Sequence, residues 1–318
     1  MCSALVTLSH SPLMGYTDPS TDTRKRVEAA LADARTFISD FAPEVVVLFG
    51  PDHYNGFFYD MMPPFCIGAA AVSIGDYDSP AGDLSVDHDA AMALTRGALA
   101  ADIDVALSER MYVDHGFAQP LQLLFGGLDR LPIVPVFINC VAEPLGSPRR
   151  ARLLGAALGQ AAAALDRRVL FVGSGGLSHD PPVPVLEAAP PDVAARLISE
   201  GRTLTPEQRA ERQMRTIQAG RDYAAGEPSI QPLNPGWDRH VLDVLDVLAA
   251  DDVSAIDSWT TEWFIEQAGH SSHEVRTSIA AYAALSSTGP YRVQSSFYEA
   301  IPEWIAGFAI TTASPRKK

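Results

Sequence analysis

The sequence predicts an α/β fold, with a central mixed, largely parallel sheet flanked by helices on both faces. Two observations carry that prediction. Four short, β-branched segments are apolar almost without a break, and each ends in a turn. A strand with one wet face would alternate; an unbroken run belongs to a sheet covered on both sides. Between these segments lie stretches with helical spacing, and alternation of strand and helix is the mark of this class.

Each element has its own local signature. The first strand lies in ALVTLSHSPLMG, Ala4 to Gly15. A helix is expected from Thr21 to Phe41, with Val27, Leu31, Ala34 and Ile38 on one face. The second strand lies in EVVVLFGPDHYNG, Glu44 to Gly56, and a helix comes next over Asp87 to Ala101. The third lies in LPIVPVFINCVAEP, Leu131 to Pro144. Ser147-Pro148 then supplies a cap and a first-turn proline for a helix running to about Leu165. The fourth strand lies in RRVLFVGSGGLSHDPP, Arg167 to Pro182. Residues 183–235 are richer in Pro, charge and Gln, and read as a helical insertion over the site. Within them Thr205-Pro206-Glu207-Gln208 opens a helix with Gln208 placed for a capping box. Asn234-Pro235 opens another helix through HVLDVLDVLAA, and Ser272 to Leu285 forms the last. SPRKK reads as a loose tail. The expectation is one domain over residues 1–318.

Bulk composition narrows the function. Hydrophobic residues make up 47%, which argues against disorder. Twenty-four Lys+Arg against 39 Asp+Glu give a net charge of −15, which disfavours nucleic acid and anionic membrane as partners. An anionic small substrate stays possible, because a local cationic pocket can sit in an acidic protein. The three cysteines, Cys2, Cys66 and Cys140, are odd in number and widely spaced, as suits free thiols in a cytoplasmic protein. No apolar run approaches the roughly 18 residues of a membrane helix, and the N-terminus lacks the basic start of a signal peptide.

The eight histidines carry the chemistry. His10, His53 and His179 each come just after a predicted strand, and His115 sits in a Gly- and Pro-containing loop after Asp114. Ligands of open α/β sheets gather beyond the carboxyl ends of strands, so these side chains converge in one crevice. One such histidine alone would read as a capping group; the set reads as a site. Two histidines and a carboxylate form the facial triad of non-haem Fe(II), with His10 and His53 as the candidate imidazoles. Asp52 points elsewhere if its turn is tight. Glu274 is the better third ligand, although Ser271-x-x-Glu274 also spells a capping box, and spacing alone favours the cap. Asp114 either orients His115 or makes the turn. GSGGLSH fits neither a dinucleotide fingerprint, lacking the third glycine, nor a hydrolase elbow, with Val172 two before Ser174. Its glycines suit a close-approaching loop that presents His179. His88 and His240 have weak claims, as do His270 and His273, read as surface groups or as supports beside Glu274. Phe57, Phe58 and Tyr59 read as core.

Several long stretches combine across the chain: LSHSPL, LFGPDHYNGFFYDMMPPFC, VDHGFAQPL, PVFIN, GSGGLSHDPPVP, LNPGWD and IPEWIAGF. Together, from about Leu8 to Phe308, they resemble the class III extradiol ring-cleaving dioxygenases, the family of the protocatechuate 4,5-dioxygenase catalytic subunit. The resemblance implies Fe(II) held by His10, His53 and Glu274, and an acid–base pair, His115 and His179. Of these His179 is taken as the later acid and His115 as the base or its partner. Asp114, Asp52 and His273 are possible supports. It implies a catechol and O2 as small-molecule partners, the catechol being 2,3-dihydroxyphenylpropionate or 2,3-dihydroxycinnamate. Cleavage beside the carbon bearing the side chain would give a hydroxy-oxo-dienedioate. It also implies a cytoplasmic homo-oligomer. The side-chain carboxylate calls for an Arg, a Lys or backbone N–H groups, and the sequence does not say which. A dioxygenase for another catechol, a metal-binding protein without activity and a zinc hydrolase are the alternatives.

Overall fold

The computed structural model describes residues 3–177, 183–226 and 244–316. Among these described residues there are eleven strands: β1 (Ser3–Leu8), β2 (Val45–Gly50), β3 (Phe65–Gly68), β4 (Ala71–Ile74), β5 (Ala81–Asp83), β6 (Ala106–Ser108), β7 (Met111–Val113), β8 (Ile133–Ile138), β9 (Val169–Ser174), β10 (Tyr291–Ile301) and β11 (Ala306–Pro315). Eight of them form the main sheet in the order β10-β11-β1-β9-β2-β8-β3-β6, while β5, β4 and β7 form a small second sheet.

The four apolar segments became the sheet's centre. Strands β1, β9, β2 and β8 are mutually parallel and buried at every residue. Successive side chains of a strand face opposite ways, so each strand feeds two cores. Val45, Val47 and Phe49 enter one hydrophobic cluster, and Val46 and Leu48 enter the other. Burying one such side chain is worth about 1.5–3 kcal/mol. The register aligns the strand ends: Leu8 lies opposite Ser174, and Phe49 opposite Gly173. The carboxyl ends of β1, β9 and β2 therefore finish side by side at one level.

Helices cover both faces. On one side lie α1 (Thr21–Phe41), α3 (His115–Phe125) and part of α6 (Pro206–Ala224). On the other lie α2 (His88–Ala100), α4 (Pro148–Ala163) and α8 (Val275–Ser286). Helix α1 buries Val27, Leu31, Ala34 and Ile38, the face its spacing predicts. Thr205 and Gln208 close the predicted capping box at the start of α6. Helix α5 (Pro191–Ile198) also lies in the segment read as an insertion, and α7 (Thr261–Ala268) precedes a 3-10 turn over His270–Glu274. That turn moves the α-helical start from Ser272 to Val275. The helix expected after Asn234-Pro235 begins outside the described residues; its later part, 244–249, is helical.

The sheet's far edge departs from the sequence reading. Strands β10 and β11 form an antiparallel hairpin, and β11 pairs with β1. Exposure along β10 is mixed, so it never showed the unbroken apolarity of a central strand. The tail is not loose as far as Arg316: Ser314 pairs with Arg292, and the Arg316 backbone N–H donates to Pro290 O at 2.9 Å.

Candidate active site

His10 lies two residues past β1 and is 3% exposed. Its Nδ1 is 2.9 Å from Ser174 Oγ, at the end of β9. The Ser174 hydroxyl donates its own proton to Gly116 O at 2.6 Å. It must therefore accept from His10, which places the ring proton on Nδ1 and leaves Nε2 as a bare lone pair. That Nε2 is 3.6 Å from Glu274 Oε2.

His53 leaves the end of β2 in a loop built by Asp52. The Asp52 carboxylate accepts from the backbone N–H of Asn55, Gly56 and Phe57 at 3.1, 2.8 and 3.1 Å. Asp52 thus points away from the ring it precedes, as expected, and shapes the turn. Both the N–H and Nδ1 of His53 meet Asp114 Oδ2, at 2.9 and 3.0 Å. Its Nε2 faces Glu274 Oε1 at 3.1 Å.

Glu274 ends the 3-10 turn just before α8. Its carboxylate turns to the histidines, and Oε2 accepts from Gly176 N–H at 2.7 Å. The glycines after β9 make this possible. A Cβ on Gly175 would lie 2.6 Å from Glu274 O, inside van der Waals contact. GSGG is thus a flat seat for Glu274. His179, which these glycines were expected to present, lies outside the described residues.

His115 opens α3. Its N–H donates to Asp76 Oδ1 at 2.7 Å, and its Nδ1 lies 2.6 Å from Asp76 Oδ2. Its Nε2 is buried with no hydrogen-bond partner among the described residues. The ring stacks on His53 at 4.5 Å, 19° from parallel, and meets His10 edge-on at 5.4 Å. One nitrogen from each of His10, His53 and His115 lies within 4.8 Å of the others.

The structure decides one open reading and corrects another. Asp114 does not orient His115. It caps α3 through Gly116 N–H at 2.9 Å and holds His53 instead. The partner of His115 is Asp76, in a 3-10 turn after β4, which sequence reasoning missed. His273 is no surface group. It is 1% exposed, lies against Phe264, and neither ring nitrogen has a partner among the described residues. His270 and His88 are exposed, and His240 lies outside the described residues. Phe58 is core, and Phe57 stacks on Phe137 at 3.9 Å.

The electrostatics come from burial and pairing. Burial lowers His10 to about 3 against the opposing pull of Glu274, so its imidazole is neutral. Burial also disfavours a charged His53, but Asp114 and Glu274 outweigh it and push its pKa well above the usual value. Burial would raise Asp114; His53 and His115 overcome that and hold it below the usual carboxylate range. Without its extra proton, His53 would aim a lone pair at a carboxylate beside a second lone pair from His10. Three acceptors converging on one point call for a cation, so the donor set fits a metal ion.

These groups lie in a cavity of about 280 Å³. Its lining also includes Arg196 of α5 and Arg209, Arg212 and Arg215 of α6.

Comparison with known proteins gives a consistent result. A family model described as the catalytic LigB subunit of aromatic ring-opening dioxygenase matches residues 4–309. A Rhodococcus jostii protein named 2,3-dihydroxyphenylpropionate/2,3-dihydroxicinnamic acid 1,2-dioxygenase is 63% identical over 310 residues, 98% of this chain and 98% of its own length. Proteins of the same name from Paraburkholderia phymatum and Cupriavidus pinatubonensis are 54% and 53% identical, covering 95% and 97% of this chain and 94% and 97% of their own. Among solved structures, an uncharacterized protein from Escherichia coli K12 aligns with a TM-score of 0.50 over 97% of this chain and 98% of its own. At 13% identity that likeness concerns the fold alone.

Proposed function

The chain belongs to the family of catalytic subunits of aromatic ring-opening dioxygenases, and on that premise we propose that it cleaves 2,3-dihydroxyphenylpropionate and 2,3-dihydroxycinnamate at an Fe(II) centre held by His10, His53 and Glu274. The observation that carries this reading is the convergence of the two Nε2 atoms on the Glu274 carboxylate, each ring fixed from behind at Nδ1. Partners of this kind orient a metal-binding imidazole and set its tautomer. The names of the relatives support the substrate.

A ferrous ion bound there supplies the Lewis acidity that lowers the catechol pKa and the electronic contact between an electron-rich ring and O2. The protein's own groups handle the protons. Asp76 locks the His115 proton on Nδ1, so the free Nε2 is the acceptor for a catechol hydroxyl proton. Asp114 supports His53 and keeps its Nε2 aimed at the centre. His179 is the proposed acid of the later ring-opening steps. Cleavage falls beside the carbon bearing the side chain, and both oxygen atoms end in the product. The alignment over nearly the full length of the relatives supports a single catalytic unit. A cytoplasmic homo-oligomer is part of the same reading, which light scattering tests against a 34.1 kDa monomer.

The direct test is anaerobic loading with Fe(II), then oxygen uptake with 2,3-dihydroxyphenylpropionate. One O2 consumed per catechol, with a yellow ring-opened product, is expected. Uptake with other catechols but not this one would overturn the substrate. No uptake with any catechol by the iron-loaded protein would overturn the reaction.

A further inference from the structure

We propose that Arg196 and Arg212 form the subsite that takes the carboxylate of the substrate's side chain, in the cavity that also holds His10, His53 and Glu274. The proposal rests on the reading of this cavity as a catechol site.

Four arginines line that cavity, and their partners separate them. Arg215 is spent on an ion pair with Glu211, and both side chains are mostly exposed. Arg209 turns back to donate to Arg202 O at 3.3 Å. Arg212 donates to the backbone carbonyls of His53 and Tyr54, at 2.7 and 3.3 Å. Those bonds use two of its five N–H donors and leave its charge without a counter-ion among the described residues. Arg196 is half-buried and makes no hydrogen bond or ion pair with any described residue. Asp192, one turn earlier on α5, forms no ion pair with it. Burial, then repulsion from Arg212, lowers the Arg196 pKa. The acids facing the cavity are already engaged: Glu274 with His53 and Gly176, Asp76 with His115.

Arg196 and Arg212 thus face each other as like charges with no ion-pair partner among the described residues, in a molecule of net charge −15. Two like charges half out of water are relieved by an anion, and a planar carboxylate matches the guanidinium fork. Arg212 is tied to the carbonyl of His53 itself, so a carboxylate held there is registered against the ring-binding end of the cavity. A site built to bond a charged group rejects the analogue that lacks it.

The test needs binding without turnover. The full chain is titrated calorimetrically under argon with 3-phenylpropionate and with its uncharged amide, as wild type, Arg196→Gln and Arg196→Lys. Wild type should bind the acid about 10- to 100-fold more tightly than the amide, the range for charge-assisted hydrogen bonds. Arg196→Gln should lose most of that preference and Arg196→Lys should recover part of it, all with unchanged melting temperature. In oxygen uptake, Arg196→Gln should raise KM for 2,3-dihydroxyphenylpropionate by a similar factor at nearly constant kcat, and leave KM for 3-propylcatechol unchanged. Equal binding of acid and amide by wild type, or an unaltered preference in Arg196→Gln, would overturn the subsite. Retained acid preference in a protein that opens no catechol would sink the proposed reaction and leave the subsite standing.

Discussion

Two aspartates divide the histidines between them. Asp114 and His115 are adjacent in sequence, yet Asp114 serves His53 and Asp76 serves His115. The reason is local. Asp114 is in extended backbone, φ −110° and ψ −164°, where neighbouring side chains leave on opposite sides. The sequence left Asp114 open between orienting His115 and making the turn; the backbone separates the two side chains, and Asp114 caps α3 and serves His53. The meeting of His10 and His53 was legible because strand ends are readable positions, whereas Glu274 rested on the family resemblance, its spacing alone favouring a cap. Asp76 was not, being one of 39 acids, 39 residues from its partner, in a short turn with no pattern of its own. The division predicts two phenotypes. Asp114→Asn should weaken iron binding, by about 10- to 100-fold as for other groups behind a metal ligand. Asp76→Asn should keep the iron and lower kcat by about 100-fold or more, the scale of lost acid–base catalysis. Metal analysis beside steady-state kinetics separates them. Loss of iron in Asp76→Asn would contradict the assignment.

At the scale of elements, the central sheet was legible and its edges were not. Unbroken apolar runs identify β1, β2, β8 and β9, since only doubly covered strands can be apolar throughout. The β10–β11 hairpin carries polar residues on its exposed positions, and the second sheet is built of strands of three and four residues. Neither leaves a strong period. The GSGG turn shows what lies beneath an ambiguous motif. Its glycines bring the end of β9 against the start of α8, where ordinary side chains would hold them apart. Gly175→Ala places a methyl against the backbone of Glu274. Overpacking of this kind costs about 1–3 kcal/mol. The variant should melt lower than wild type and bind iron more weakly, because the displaced residue carries the carboxylate. An unchanged melting curve with full iron content would show that the seat is not tight.

For the whole molecule, two buried histidines contribute to the acid sensitivity of the metal-free protein. His10 and His273 are each lowered to about 3 by burial, against about 6.5 in the unfolded chain. Between those values the unfolded state binds the extra proton and the folded state does not, so stability falls as pH drops from about 6.5 toward 3. His53 acts in the opposite sense. Its raised pKa adds stability below about 6.5 that is lost as pH climbs through the folded value. His273 has no partner to lose among the described residues, so His273→Leu should flatten the acid limb by up to one proton, about 1.4 kcal/mol per pH unit. Urea unfolding from about pH 6.5 to 4 measures that slope, and identical slopes would refute it. The sheet order has a consequence in time. Strand β1, which leads to His10, is held between β9 and β11, so its neighbours are residues 169–174 and 310–313. While a ribosome is still adding the last of these, the first strand has one edge open and His10 lacks its final setting. Pairings this distant in sequence form late. The site is therefore completed only once residues 310–313 have been made, and until residues 169–174 emerge the nascent chain must keep the apolar β1 unpaired on both edges.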